Sequence, residues 1–146
     1  MSHTHLLYHI VFATKNRSPI ITDDWRKNLH RYLAATINAL EGKAIEVGGV
    51  ADHVHLLVRL KPTIALSDFL RELKAKSSVW VKREFCKDFS WQSRYGAFTV
   101  SESQAEIVRK YIREQERHHA KRNLNDEYVA LLKAHKIDFD ERFPWS

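Results

Sequence analysis

Asp52-His53-Val54-His55-Leu56-Leu57-Val58-Arg59-Leu60 is an apolar, β-branched run bounded by Gly48-Gly49 before it and Pro62 after it. That is the pattern of a β-strand. Side chains alternate between strand faces, so His53 and His55 share one face with Leu57, while Val54, Leu56, Val58 and Leu60 share the other. Four apolar residues mark the second face as the core side. Two imidazoles about 7 Å apart at the backbone are then held on a defined surface, close enough to converge on one divalent cation or phosphate. They make half a site, and other segments must supply the remaining ligands and a reacting group.

The flanking sequence reads as one domain over residues 1–146, with no internal repeat and no low-complexity tract. Hydrophobic residues are 44% and charged residues 29%, so the chain is ordinary in composition and predicted to fold throughout. Lys and Arg outnumber Asp and Glu by 24 to 18, a balance that suits a polyanionic partner. Cys86 is the only cysteine, which excludes an intramolecular disulfide and fits a reducing compartment. It reads as a packing residue. Leu6 to Ala13 is broken by His9 and followed by Lys15, Asn16 and Arg17, so it is no signal peptide, and no run reaches membrane-spanning length. A cytoplasmic location is the expectation.

His5 to Thr14 alternates as a strand, with Leu6, Tyr8, Ile10 and Phe12 on one face and Leu7, His9, Val11 and Ala13 on the other. Both faces are largely apolar, which places this strand centrally in a sheet. Lys15 to Pro19 is a basic loop. Thr22 with Asp23-Asp24 is a helix N-cap with acids in the first turn. Trp25, Leu29, Tyr32, Leu33, Thr36, Ile37 and Leu40 then recur at helical spacing, with Gly42 as terminator. Lys43 to Val50 makes a second strand. Thr63 to about Phe85 is a second helix, with Leu66, Phe69, Leu70, Leu73 and Trp80 inward. Its outer faces carry Arg71, Lys74, Lys76, Lys82 and Arg83, interleaved with Ser77 and Ser78. Such a run is either a solvated face or a phosphate-contacting one, and phosphate contacts are assigned to Lys15, Arg17, Arg71, Lys74 and Lys76 on charge and position.

A further strand spans Tyr95 to Val100. Ser101 with Gln104 and Ser103 with Glu106 form overlapping capping boxes that open a third helix, running from about Ser103 to Lys121-Arg122. A fourth follows from about Asp126 to His135, and the tail through Phe139, Phe143 and Trp145 is aromatic enough to dock. The order β-α-β-β-α-β-α-α is an α+β, ferredoxin-like split βαβ: a four-stranded antiparallel sheet with two helices on one face. The C-terminal helices lie over or beside the other face, the one that carries His53 and His55.

Ile107, Tyr111 and Gln115 are spaced by four along the third helix and stack on one face, with His118 beside them. His118 and His119 read as cations at a helix C-terminus, and Arg59, on the ligand face of its strand, reads as either electrostatic or exposed. Two imidazoles and an amide oxygen can hold Mg²⁺ or Mn²⁺. A phenol beside such a cation can attack phosphorus and keep the energy of the cleaved bond in a covalent link.

Asp52-His53-Val54-His55-Leu56-Leu57-Val58 followed by Tyr111-Ile112-Arg113-Glu114-Gln115-Glu116-Arg117-His118-His119 resembles the single-tyrosine HUH transposases of bacterial and archaeal insertion sequences. Nearly the whole chain takes part, including Thr14 to Arg17, Lys74 to Ser78, Tyr95 to Phe98 and Asp140 to Arg142. The resemblance implies a divalent metal on His53, His55 and Gln115, with Tyr111 as nucleophile. It implies cleavage of single-stranded DNA at hairpin-bearing element ends through a 5′-phosphotyrosine, with the free 3′-hydroxyl later rejoining strands. It also implies a homodimer in which the tyrosine helix of one subunit can complete the site of the other. Two other readings remain open: a non-catalytic, domesticated hairpin-binding protein of the same fold, and a metal-dependent hydrolase in which the phenol is structural.

Overall fold

In the computed structural model, which describes residues 2–140, 142 and 144, the first strand β1 (Leu6–Ala13) lies inside the sheet. The other strands are β2 (Lys43–Gly49), β3 (His53–Leu60) and β4 (Gly96–Val100), in the order β2-β3-β1-β4, with every neighbour antiparallel. This is the split βαβ sheet read from the sequence. Ala13 faces His53 and Val11 faces His55 across the β1–β3 ladder. Alternation therefore puts the imidazoles on the Val11/Ala13 side.

Helices α1 (Asp23–Ala39) and α2 (Leu66–Glu84) cover the opposite face. Ile10, Phe12, Val54, Leu56, Val58 and Leu60 pack there against Leu29, Leu33, Ile37, Phe69, Leu70 and Leu73, all at most 3% exposed. Cys86 packs at the margin of this core as a free thiol. Thr22 is the N-cap of α1, but its hydroxyl donates to the Asp24 carboxylate instead of capping a backbone N–H. Gly42 is not the residue that takes the left-handed turn after α1: Glu41 does, at φ 67°, while the Gly42 N–H returns to the Ile37 carbonyl.

The second face is covered by α3 (Ala105–Arg113), α4 (Gln115–His119) and α5 (Leu124–Ala134). The single third helix expected through Arg122 is broken at Glu114, whose φ of −100° and ψ of 28° leave the helical region. Neither capping box forms; Ser101 and Ser103 hydroxyls bond each other, and a 3₁₀ turn over Glu102–Gln104 leads into α3. In contrast, α5 begins two residues earlier than expected because Asn123 caps it, accepting from the Asp126 N–H. α3 packs on β2 and β3. The approach is so close that a Cβ on Gly48 would sit 2.3 Å from the Ile112 carbonyl oxygen. Leu124, Tyr128 and Leu132 of α5 pack on Val11, Ala13 and Phe98. Phe139 of the tail joins this smaller cluster, while Phe143 and Trp145, read as docking residues, lie outside the described residues. Among the described residues no helix is long and apolar enough to cross a membrane.

Candidate metal and nucleophile site

The central atom of the site belongs to a residue the sequence reading passed over. Glu127, fully buried on α5, points its Oε1 at three imidazoles: His55 Nε2 at 2.9 Å, His119 Nε2 at 3.0 Å and His53 Nε2 at 3.5 Å. Its other oxygen, Oε2, accepts hydrogen bonds from the Tyr111 hydroxyl and, at 3.3 Å, from the Gln115 amide. One ligand atom each from His53, His55, His119 and Glu127 lie within 4.8 Å of one another.

Both strand imidazoles turn Nε2 inward because their Nδ1 atoms are held from behind. Asp52 Oδ1 lies 2.7 Å from His53 Nδ1, and His9 Nε2 lies 2.8 Å from His55 Nδ1. Such outer partners fix the tautomer and ring orientation of metal-binding histidines. His9, on the inward face of β1, is thus a supporting residue, and its ring stacks on that of His55.

The electrostatics favour a cation at this point. Burial raises the Glu127 carboxyl, but hydrogen bonds from His119, His53 and His55 outweigh it and hold the group far below the usual carboxylate range. Burial lowers His53, yet the bonds to Asp52 and Glu127 overcome it and lift the imidazole to about 9. His55 falls to about 4, chiefly through burial, and His9 to about 3 through burial and the neighbouring His55. The cluster offers a buried carboxylate and three imidazoles, a donor set that could hold a divalent metal.

Tyr111 and Gln115 do meet the His pair, and they do so within one chain. The Tyr111 ring lies 5.9 Å from that of His55, and Gln115 Oε1 lies 3.3 Å from His53 Nε2. Burial and the Glu127 carboxylate push the phenol up to about 12. His119, read as a helix-end cation, belongs instead to the cluster. Gln115 and His119, one turn apart on α4, both face inward. His118 stacks beside the Tyr111 ring at 4.5 Å. The omission of Glu127 has a recognisable signal: it occupies a position in the apolar stripe Leu124, Tyr128, Leu131, where a lone acid has to be paired.

The assigned phosphate contacts divide. Lys15 and Arg17 line a surface cleft with Trp91 and Gln92, and Arg71 lines a second one next to it. Arg71 pairs with Asp68 at 3.0 Å and Lys76 with Glu72 at 3.9 Å on the exposed face of α2. Lys74 is different. Its ammonium donates to the carbonyls of Gln92 (2.6 Å) and Arg94 (3.0 Å), and burial lowers it to about 8. Ser77 is fully buried and accepts from Trp91 Nε1 at 2.9 Å, so it offers nothing to a phosphate. Arg59 is half-buried rather than exposed, and its Nε has no hydrogen-bond partner.

Comparison with known proteins points the same way. The family described as "Transposase IS200 like" matches residues 2–115. The ISDra2 transposase TnpA of Deinococcus radiodurans is 32% identical over 120 residues, covering 75% of this chain and 84% of the relative. The transposase of insertion sequence element IS200 from Salmonella typhimurium is 30% identical over 115 residues, covering 74% and 75%. A crystal structure from D. radiodurans R1, assigned as a transposase, superposes with a TM-score of 0.65 at 26% identity over 78% of this chain and 93% of that one. A REP-associated tyrosine transposase bound to a REP hairpin has the same fold, with a TM-score of 0.61 at 14% identity over 82% and 73%. His53, His55, Tyr111 and Gln115 fall within the matched residues, whereas His119 and Glu127 follow them, and the chain belongs to the IS200-like transposase family.

Proposed function

We propose that the chain, acting as a single domain over residues 1–146, cleaves and rejoins single-stranded DNA at hairpin-bearing element ends through a 5′-phosphotyrosine on Tyr111. The observation that carries this reading is the single carboxylate of Glu127, with imidazoles on one oxygen and the nucleophilic phenol on the other. The hairpin-bound relative supports hairpins as the DNA form.

His53, His55, His119 and Glu127 would hold the divalent cation, with Gln115 at its edge. A cation there polarises a phosphoryl oxygen and offsets the charge that develops on phosphorus. Of the Mg²⁺ and Mn²⁺ the sequence pointed to, an imidazole-rich set suits Mn²⁺ better, because Mg²⁺ keeps to oxygen ligands. Tyr111 Oη bonds to phosphorus as the P–O3′ bond breaks. The phenol's proton passes to Glu127 Oε2 along the existing hydrogen bond; a phenol oxygen that is becoming an ester is acidic enough for even a weak carboxylate base. The 3′ oxygen leaves with a proton from solvent, and its later attack on the phosphotyrosine reverses these steps.

Lys15, Arg17, Arg71 and Lys76 are proposed to contact phosphates, and Lys74 to brace the Gln92–Arg94 loop between their two clefts. The working assembly is a cytoplasmic homodimer. Because Tyr111 reaches the His pair of its own chain, such a dimer carries two complete sites.

Incubation with hairpin-bearing single-stranded DNA and Mn²⁺ is expected to give a protease-sensitive, slowly migrating adduct with the parent chain and none with Tyr111→Phe. An adduct from both would remove Tyr111 as nucleophile. Hairpin binding at full strength without any adduct would favour the non-catalytic reading, and free 5′-phosphate ends without trapped protein would favour a hydrolase.

A further inference from the structure

A cavity of about 240 Å³ opens between α3 and α5 beside Tyr111 and reaches His9 and Glu127. Ile107, Val108, Ala130 and Leu131 line it, Tyr111 closes its inner end, and Arg122 stands at its rim with a guanidinium nitrogen 3.4 Å from the phenol oxygen. Ile107 is 63% exposed, unusual for so large an apolar side chain beside a polar site.

We infer that this slot receives the base of the nucleotide whose phosphate Tyr111 takes, the one immediately 3′ of the cleavage point. The inference rests on the 5′-phosphotyrosine reading above. In phosphoryl transfer the attacking and leaving oxygens lie roughly in line through phosphorus. The departing 3′ oxygen and its nucleoside must therefore sit opposite the phenol. The retained nucleoside hangs from a 5′ oxygen in the plane between them, off the line of attack, which leaves it free to fold back beside the tyrosine. His55 packs against the Tyr111 ring outside the slot, while His9 and Glu127 touch the tyrosine and also line the slot. The slot is the open space beside the ring. Its chemistry matches a nucleotide in two parts: aliphatic walls and a phenol edge for the faces of a base, and a guanidinium at the rim for the phosphate. The walls are apolar apart from His9 and Glu127, both already hydrogen-bonded within the site, so packing grades bases by shape and the slot would impose a preference at this position, not a strict code.

The test uses short probes and needs no knowledge of the element ends. Methyl and backbone NMR shifts are followed as 5′-phosphorylated thymidine and adenosine trinucleotides are added, beside a trinucleotide that is abasic at its 5′ residue. Ala130 is exposed, so Ala130→Phe fills the slot without entering a core. The expected result is shifts at Ile107, Val108, Ala130 and Leu131 with the intact probes, and about tenfold or greater weakening from either the abasic residue or Ala130→Phe. Mn²⁺ binding to the Ala130→Phe variant should remain unchanged. Equal affinity for intact and abasic probes, or shifts confined to Arg122 and the imidazoles, would overturn the slot and leave the transposase reading standing. Slot shifts that follow protein concentration without probe would overturn it in favour of a second copy as occupant. Base-dependent slot shifts in a chain that forms no tyrosine adduct would uphold the slot and sink the chemistry instead.

Discussion

The two faces of the sheet are built from the same strands yet solve opposite problems. Against α1 and α2 the strands present an almost wholly apolar surface, and Ile10, Phe12, Val54, Leu56 and Val58 are wholly buried. One residue along, the same strands present His9, His53 and His55, also buried, to Glu127 and Gln115. Burying apolar area is favourable wherever it occurs, whereas each buried polar atom costs free energy unless paired. The first face therefore supplies stability, and the second uses that stability to hold a polar network at fixed distances.

The sharpest way to break this contrast is to damage each face and weigh the loss. Leu33→Ala empties a fully buried position under α1 and should cost about 3 kcal/mol of unfolding free energy. Tyr111→Phe removes the hydroxyl's hydrogen bonds with the Glu127 carboxylate and the Arg122 guanidinium and should cost about 1.5 kcal/mol. Urea denaturation of both variants measures the difference. Equal losses would mean the polar face contributes to stability as much as the apolar one does.

An intermediate effect concerns His30 on α1, beside the β2 edge of the site. Its Nε2 is buried without a hydrogen-bond partner, and burial, with Arg26 and Lys27 nearby, lowers its pKa to about 4. The unfolded chain takes up this proton near pH 6.5, while the folded chain resists until about pH 4. Stability should thus be unaffected by this group above pH 6.5 and fall as the pH drops from there to 4, by on the order of 2 kcal/mol. His30→Gln should flatten that limb of the stability curve. An identical acid limb in the variant would assign the loss to His9 and His55, which are depressed in the same direction.

How much of this could be read beforehand follows from which physics is local. Strand alternation puts His53 and His55 together on one face, and helical spacing puts Tyr111 over Gln115, so both pairs are legible within single segments. Their meeting is not, because it depends on where α3 lands on the sheet; here it is Gly48 that lets Ile112 approach. His119 was misread because its place near a helix end suggested a solvated cation, although it stands four residues after Gln115 on the same face. Glu127 was missed because its partners lie 72 residues away at His55 and 8 away at His119, although an acid in an apolar stripe was visible. The capping boxes fail for a related reason: Ser101 and Ser103 have each other as partners, and the 3₁₀ turn displaces the helix start beyond both.

The smallest effect separates two cations that look alike in the sequence. Arg71 and Lys74 are one turn apart on α2, and both were assigned to phosphates. Arg71 is exposed and its single ion pair with Asp68 is open to solvent, an interaction worth little and easily exchanged for a phosphate. Lys74 already spends two of its three donors on the Gln92 and Arg94 carbonyls, and its ammonium lies 5.4 Å from the centre of the Phe12 ring. Removing it should loosen the loop that joins the core to β4. Arg71→Ala is expected to reduce the slope of log affinity against log salt for single-stranded DNA by about 0.7, one phosphate contact, with no change in melting temperature. Lys74→Met is expected to do the reverse, lowering the melting temperature while the slope stays as it was. If Lys74→Met flattens the slope as Arg71→Ala does, the ammonium leaves its carbonyls for DNA, and the boundary between the structural side of α2 and the side proposed to bind nucleic acid has to be drawn one turn further in.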